Sequence, residues 1–135
     1  MVSELDAEAG AGGRVILVAD DEPHIRLLIE QSLDDLADEG VEILTVGDGQ
    51  AALDAIKARR PALVVLDAMM PKMSGFDVCR IVKKDLAMDG VFVIMLTAKG
   101  QEYDRRRGEQ VGANLYMTKP FDPDELLARA REAVG

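Results

Sequence analysis

The stretch that most constrains the fold is Leu63-Val64-Val65-Leu66-Asp67-Ala68-Met69-Met70-Pro71-Lys72-Met73-Ser74-Gly75, an unbroken apolar run that ends in a carboxylate and a turn. A strand without polar positions must be buried on both faces, so it belongs in the middle of a sheet covered by helices. Asp67 then stands at the carboxyl end of that strand, the edge where open parallel α/β sheets bind ligands and carry chemistry. Pro71 restricts the backbone as it leaves the strand, and Gly75 is expected to permit a sharp entry into the next helix.

The same pattern recurs along the chain. Val15–Ala19 is another buried run and ends at Asp20-Asp21-Glu22-Pro23. Pro23 suits the first turn of a helix whose apolar face is marked by Ile25, Leu28, Ile29, Leu33 and Leu36. Val41–Val46 alternates as an edge strand does, and Asp48 is placed to cap a helix running to about Ala58. Beyond Asp67, the residues Phe76, Val78, Cys79, Ile81 and Val82 mark a third helix, and Val91–Leu96 is a further apolar strand ending at Thr97. A weaker helix over 102–111 contains Gly108, which costs about 1 kcal/mol relative to Ala.

A last strand, Asn114–Thr118, leads to Lys119-Pro120-Phe121. Asp122-Pro123-Asp124-Glu125 then opens a final helix with a cap, a proline and acids set against the dipole, Glu125 closing a capping box. Leu126, Leu127, Ala130 and Val134 carry its apolar face. Five β/α units with short connections predict a flavodoxin-like, doubly wound α/β fold: a five-stranded parallel sheet in the order 2-1-3-4-5 with five helices. Residues 1–13, acidic and rich in Ala and Gly, are expected to form a flexible tail, leaving 14–134 as one domain.

Composition narrows the partners. A domain of this size buries roughly 68% of its unfolded surface and needs no disulfide or metal as a staple. The single Cys excludes an internal disulfide framework and, with no signal-peptide pattern or membrane-length apolar run, points to a cytoplasmic protein with no membrane partner. Twenty-five acidic against sixteen basic residues give a net charge of −9, which disfavours direct binding to nucleic acid.

Aligning the strand ends brings the polar chemistry to one edge: Asp20 and Asp21 after the first strand, Asp67 after the third, Thr97 after the fourth and Lys119 after the fifth. Three carboxylates in one crevice repel one another unless a cation neutralises them, and an oxygen-only donor set suits Mg²⁺. Asp67 is the natural nucleophile toward a phosphoryl group, since carboxylates form acyl phosphates when metal and cations spread the transferred charge. Lys119 supplies countercharge, Thr97 a hydroxyl donor, and backbone N–H groups near Ala98 complete the cradle.

The order Asp20-Asp21, Asp67 followed by Met70-Pro71 and Gly75, Thr97-Ala98, and Tyr116-x-x-Lys119-Pro120-Phe121 resembles the receiver domain of bacterial two-component response regulators, over residues 14–134. The resemblance implies a phosphorylation switch rather than an enzyme. Asp67 would accept a phosphoryl group from a phosphohistidine on a sensor histidine kinase or histidine phosphotransfer protein. Mg²⁺ would be held by Asp21, Asp67 and the backbone carbonyl of Met69, with Asp20 acting mostly through water. Thr97 and Tyr116 would be the switch pair that alters affinity for a downstream protein, in a chain that is mostly monomeric and able to dimerise on phosphorylation. The Lys119-Pro120 bond would be cis.

Two residues depart from the commonest family pattern. Met69 stands where many relatives carry Asn, and Lys99 where acidic or polar residues are frequent. Both flank the family's path for hydrolytic water, and the bulk of Met69 is expected to slow loss of the phosphoryl group.

Simpler readings apply elsewhere. His24 falls in the first turn of an amphipathic helix, where a polar face needs such a residue. Cys79 reads as a small core residue. Arg105, Arg106 and Arg107 point about 100° apart and read as a solvated face. A competing function is an Mg²⁺-dependent phosphohydrolase with an aspartate nucleophile, which would need a general acid close after Asp67, where Ala68-Met69-Met70 stand. A phosphorylation-independent scaffold of the same fold is the third reading.

Overall fold

A computed structural model describes residues 14–98, 106–107 and 109–135. The tail expected over 1–13, Lys99, Arg105, and residues 102–105 and 108 of the weaker helix lie outside the described residues. Strands β1 (Val15–Ala19), β2 (Glu42–Val46), β3 (Leu63–Asp67), β4 (Phe92–Ala98) and β5 (Leu115–Lys119) form one parallel sheet in the order β2-β1-β3-β4-β5. That is the order expected from the alternation of strands and helices. All five residues of β1 and of β3 are buried, whereas β2, at the edge, exposes Glu42 and Thr45.

Strand parity divides the core. Leu17, Ala19, Val64, Leu66 and Met95 face one side of the sheet, against α3 (Gly49–Arg59) and α4 (Gly75–Arg80). Ile16, Val18, Leu63, Val65 and Ile94 face the other, against α1 (Pro23–Ser32), its short continuation α2 (Asp34–Asp38), and α5 (Pro123–Val134). Residues 106–107 and 109–110 are also helical, and lead through a turn at Gly112 (φ 93°) into β5.

Several local expectations need correction. Leu28 is 42% exposed, while Ile29, Leu33 and Leu36 are fully buried. At 100° per residue Leu28 lies roughly 95° from the centre of the stripe formed by Ile25, Ile29, Leu33 and Leu36, at the edge of what the sheet covers. The first helix also breaks at Leu33 (φ −103°, ψ 8°) into α1 and α2. The third helix does not stay α-helical: after Arg80 it widens into a π-turn over Ile81–Asp85, with Leu86 N–H donating to the Ile81 carbonyl at 2.8 Å.

Asp122 caps α5 by accepting from the Asp124 N–H at 2.9 Å, and no reciprocal bond from Glu125 completes a capping box among the described residues. Asp48 caps α3 as expected, its carboxylate accepting from Ala51 N–H at 2.8 Å. The Lys119-Pro120 bond is cis.

Candidate functional site

The carboxyl ends of β1, β3, β4 and β5 open onto a cavity of about 560 Å³ lined by Asp21, Glu22, Asp67, Ala68, Met69, Thr97, Ala98 and Lys119. Each strand delivers its side chain at the point where the ladder stops. Asp67 is the last residue of β3, in register with Leu96, which places Thr97 one step beyond it on the neighbouring strand. Thr97 is in turn in register with Thr118, which brings Lys119 to the same edge. Asp20 follows β1 directly, and its N–H is bonded to the Val46 carbonyl at 3.2 Å.

The acidic residues converge. Asp20, Asp21 and Asp67 each offer a carboxylate oxygen, and these atoms lie within 4.8 Å of one another. Asp20 and Asp67 are buried and Asp21 is exposed at the mouth. Lys119 answers this charge: its Nζ lies 2.8 Å from Asp20 Oδ2, 3.4 Å from Asp67 Oδ1 and 3.9 Å from Glu22 Oε1. The contact with Asp20 Oδ2 is a close ion pair in which that carboxylate is fully buried. Asp20 Oδ1 accepts from Glu22 N–H at 3.0 Å, and Asp67 Oδ1 from Met69 N–H at 3.3 Å.

Burial and the neighbouring Asp20 charge push the Asp67 carboxyl up to about 7, against the weaker pull of Lys119 and the Met69 N–H. Burial also works against the Lys119 ammonium, but its contacts with Asp20 and Asp67 outweigh that cost and raise its pKa. The result is a cation that stays charged beside a carboxylate held close to its titration point. Three hard carboxylate oxygen donors at this spacing fit Mg²⁺. Asp20, Asp21 and Asp67 are the side chains that would hold it.

Thr97 is 2% exposed, and its Oγ1 has no hydrogen-bond partner among the described residues. Met69 lines the cavity but is 62% exposed. Tyr116 does not line this cavity. It is half-buried, packs against the core on the α3/α4 side, and borders a separate hollow of about 220 Å³ with Glu109, Ala113, Asn114 and Leu115. Tyr116 pairs in register with Met95, two residues before Thr97, so Tyr116 and Thr97 share one face of the sheet.

His24 is exposed on α1, and Cys79 is fully buried, its thiol pushed up to about 11 by burial. Arg107 lies over the Phe76 ring at 4.6 Å, a cation–π contact rather than a solvated position.

Glu22, Arg26 and Gly49 were not singled out by their pattern, and Gly75 was singled out for another reason. Glu22 reaches Lys119, and its position directly after the acid pair was the available signal. Arg26, one helical turn further on, donates to the Asp20 carbonyl at 2.7 Å. Gly75, expected to permit a sharp entry to α4, has an ordinary conformation. A Cβ there would overlap the Asp67 carbonyl oxygen and come within 3.0 Å of Ala68 Cα, so the residue is small because the backbones touch. Gly49, at the start of α3, makes a similar close approach to Met73.

Comparison with known proteins agrees with this architecture. Residues 16–131 match the family model of the response regulator receiver domain. The DNA-binding response regulator MtrA of Mycolicibacterium smegmatis is 46% identical over 116 residues, covering 86% of this chain and 48% of the relative. PhoP of Bacillus subtilis, an alkaline phosphatase synthesis transcriptional regulatory protein, is 40% identical over 116 residues, again 86% of this chain and 46% of its own length. This chain therefore spans less than half the length of these curated relatives.

Among solved structures, the Francisella response regulator 1452 receiver domain is similar with a TM-score of 0.78 at 30% identity, over 90% of this chain and 96% of that one. The chemotaxis response regulator CheY4 of Vibrio cholerae gives 0.76 at 29% identity, over 89% and 98%. A family match over most of the chain, the 2-1-3-4-5 sheet and the acidic cavity at its carboxyl edge lead to one assignment: this chain belongs to the response regulator receiver domains of two-component signalling.

Proposed function

We propose that this receiver domain is a phosphorylation switch whose acceptor is Asp67. The observation that carries the reading is the convergence in one cavity of a buried carboxylate, two further acids, a lysine ammonium and a buried hydroxyl without a partner. A carboxylate oxygen of Asp67 attacks the phosphorus of a phosphohistidine on a histidine kinase or phosphotransfer protein. The P–O bond forms, the P–N bond breaks, and the imidazole leaves with its electron pair.

Bound Mg²⁺, held by Asp21, Asp67 and the Met69 carbonyl with Asp20 acting through water, would neutralise charge and keep Asp67 ionised. Lys119 holds a fixed positive charge 3.4 Å from Asp67 Oδ1, ready to pair with a phosphoryl oxygen. Thr97 donates its hydroxyl to another. Ordering Thr97 toward the phosphoryl group frees space on the sheet face it shares with Tyr116, and the inward movement of Tyr116 biases a two-state equilibrium read by a downstream protein.

The output belongs to partner binding rather than turnover. The net charge of −9 argues against direct contact of this domain with nucleic acid, although relatives such as MtrA are named as DNA-binding regulators. Among the described residues no helix is long and apolar enough to cross a membrane, in keeping with a cytoplasmic switch.

Intact-mass spectrometry after incubation with Mg²⁺ and acetyl phosphate tests the reading. One phosphoryl adduct is expected, dependent on Mg²⁺ and absent in Asp67→Ala. A folded protein that binds Mg²⁺ yet gains no adduct and releases no phosphate would sink it.

A further inference from the structure

We infer that Gly49 is a positioning residue for the loop that joins Asp67 to α4, setting the Mg²⁺ affinity of a site it does not itself touch. The inference rests on the reading of Asp67 and Met69 as Mg²⁺ ligands proposed above. Loop 68–74 is held at its ends and at its middle. At its ends, Gly75 N–H donates to the Ala68 carbonyl at 2.8 Å while its Cα lies against the Asp67 backbone. At its middle, Met73 N–H donates to the Pro71 carbonyl at 2.7 Å, and Gly49 N–H reaches the same carbonyl at 3.3 Å from the first turn of α3.

Gly49 is buried, and a Cβ on it would overlap the Met73 carbonyl oxygen and stand 2.6 Å from the Met73 carbonyl carbon and 2.7 Å from its Cβ. Two of those three atoms are backbone, which no change of rotamer moves aside. The closed end at Gly75 and Ala68 stops the loop from yielding toward α4, so displacement at Met73 is passed back through Pro71 to Met69, whose N–H holds Asp67 Oδ1. Lys72 in the same loop already occupies a left-handed conformation (φ 70°) and pairs with Asp48 at 3.6 Å, next to Gly49. The first turn of α3 therefore acts as a stop against which the acceptor loop is seated.

The test measures Mg²⁺ binding by calorimetry in the full chain, for the unaltered protein, Gly49→Ala, and Gly90→Ala as a control whose added Cβ meets nothing within 4 Å. Gly49→Ala is expected to weaken Mg²⁺ binding severalfold or more, and Gly90→Ala to leave it unchanged. A second measurement needs no variant: saturating Mg²⁺ should slow hydrogen exchange at the Gly49 amide more than at amides of α5, because coupling between two sites is reciprocal. A Gly49→Ala protein that loses stability but keeps its Mg²⁺ affinity overturns the inference, since that marks a purely structural glycine. If Gly49→Ala does not fold, a Gly49 amide indifferent to Mg²⁺ overturns it equally. An unaltered protein that takes up no Mg²⁺ overturns this inference and the proposed function together, whereas normal Mg²⁺ binding and phosphorylation with an indifferent Gly49 overturn this one alone.

Discussion

At the amino-terminal edge of the sheet, Arg131 grips Glu39 through two hydrogen bonds of 2.7 and 3.0 Å, and Arg14 donates to the Val134 carbonyl at 2.9 Å. At the carboxyl-terminal edge, one lysine ammonium faces three carboxylates, and a buried hydroxyl has no partner among the described residues. The first edge pairs Glu39 with Arg131 and Arg14 with a backbone carbonyl, and the ion pair is half in solvent. The second is buried and short of positive charge. One sheet thus carries a satisfied end that ties β1, α2 and α5 together, and an unsatisfied end whose deficit a cation and a phosphoryl group would fill. The fold tolerates that deficit because the apolar strands behind it are fully buried and independent of it.

The largest expected effect comes from relieving the deficit. The Asp67 carboxyl stands at about 7 in the fold against an ordinary 3.8. Below about pH 4 it is protonated folded or unfolded, and no penalty exists. Between about pH 4 and pH 7 the unfolded chain releases a proton that the folded one keeps, so stability falls as pH rises. Above about pH 7 the penalty is complete, on the order of 4 kcal/mol as an upper bound. Asp67→Asn, measured by urea denaturation without Mg²⁺, should be more stable than the unaltered protein by about 2–4 kcal/mol near pH 8 and equal to it near pH 4. A gain that does not vary with pH would break the contrast between the edges.

Removing the ammonium that pairs with those carboxylates should act in the opposite direction. Lys119→Met leaves Asp20 and Asp67 facing each other in a buried setting and should cost about 2–3 kcal/mol at neutral pH. The loss should shrink on acidification, as Asp67 takes up its proton, and on adding Mg²⁺. A loss of the same size at about pH 4 would instead assign to Lys119 a packing role.

What could be read in advance follows the same division. β1, β3 and β4 were legible because strands buried on both faces tolerate no polar residue, which leaves an unbroken signature that ends where the ligand edge begins. Asp20, Asp21, Asp67 and Thr97 were legible for that reason, each being the first polar residue after such a run or next to it, whereas Lys119 follows the half-buried β5 and was placed by lining up the strand ends. Tyr116 came only from resemblance, since a tyrosine in a half-buried strand carries no such mark. Features set by one element meeting another left no local trace. Leu28 has the spacing of a core residue but sits where no element covers it, and the π-turn at Ile81–Asp85 has an ordinary helical composition. The small size of Gly49 answers to the Met73 backbone in another loop, and that of Gly75 to the Asp67 backbone at the far end of its own.

Met69 offers a smaller, kinetic test at the open edge. Its side chain is 62% exposed over the cavity, so its replacement should leave stability within about 0.5 kcal/mol. If its bulk shields the acyl phosphate from water, Met69→Asn should lose the phosphoryl group severalfold faster, read as phosphate release after the donor is removed. An unchanged rate would show that water reaches the group by a route that Met69 does not cover.

The smallest effect belongs to the matched edge. Glu39 is held below the usual carboxylate range by its hydrogen bonds to Arg131, while Arg131 is raised by the same contact. A depressed carboxylate contributes stability above its unfolded pKa and loses it as pH falls through the folded value. The contribution of this pair should therefore be present at neutral pH and fade below about pH 4.5. Both side chains are about half exposed, at 49% each, so salt should screen the pair strongly. Arg131→Gln is expected to lower the urea midpoint slightly at neutral pH and low salt, with the difference disappearing in about 1 M salt. Mg²⁺ affinity and phosphoryl uptake should not change, because the pair lies at the far ends of the strands from Asp67. A change in Mg²⁺ affinity would mean that the two edges are coupled through the sheet, and their separation would then have to be abandoned.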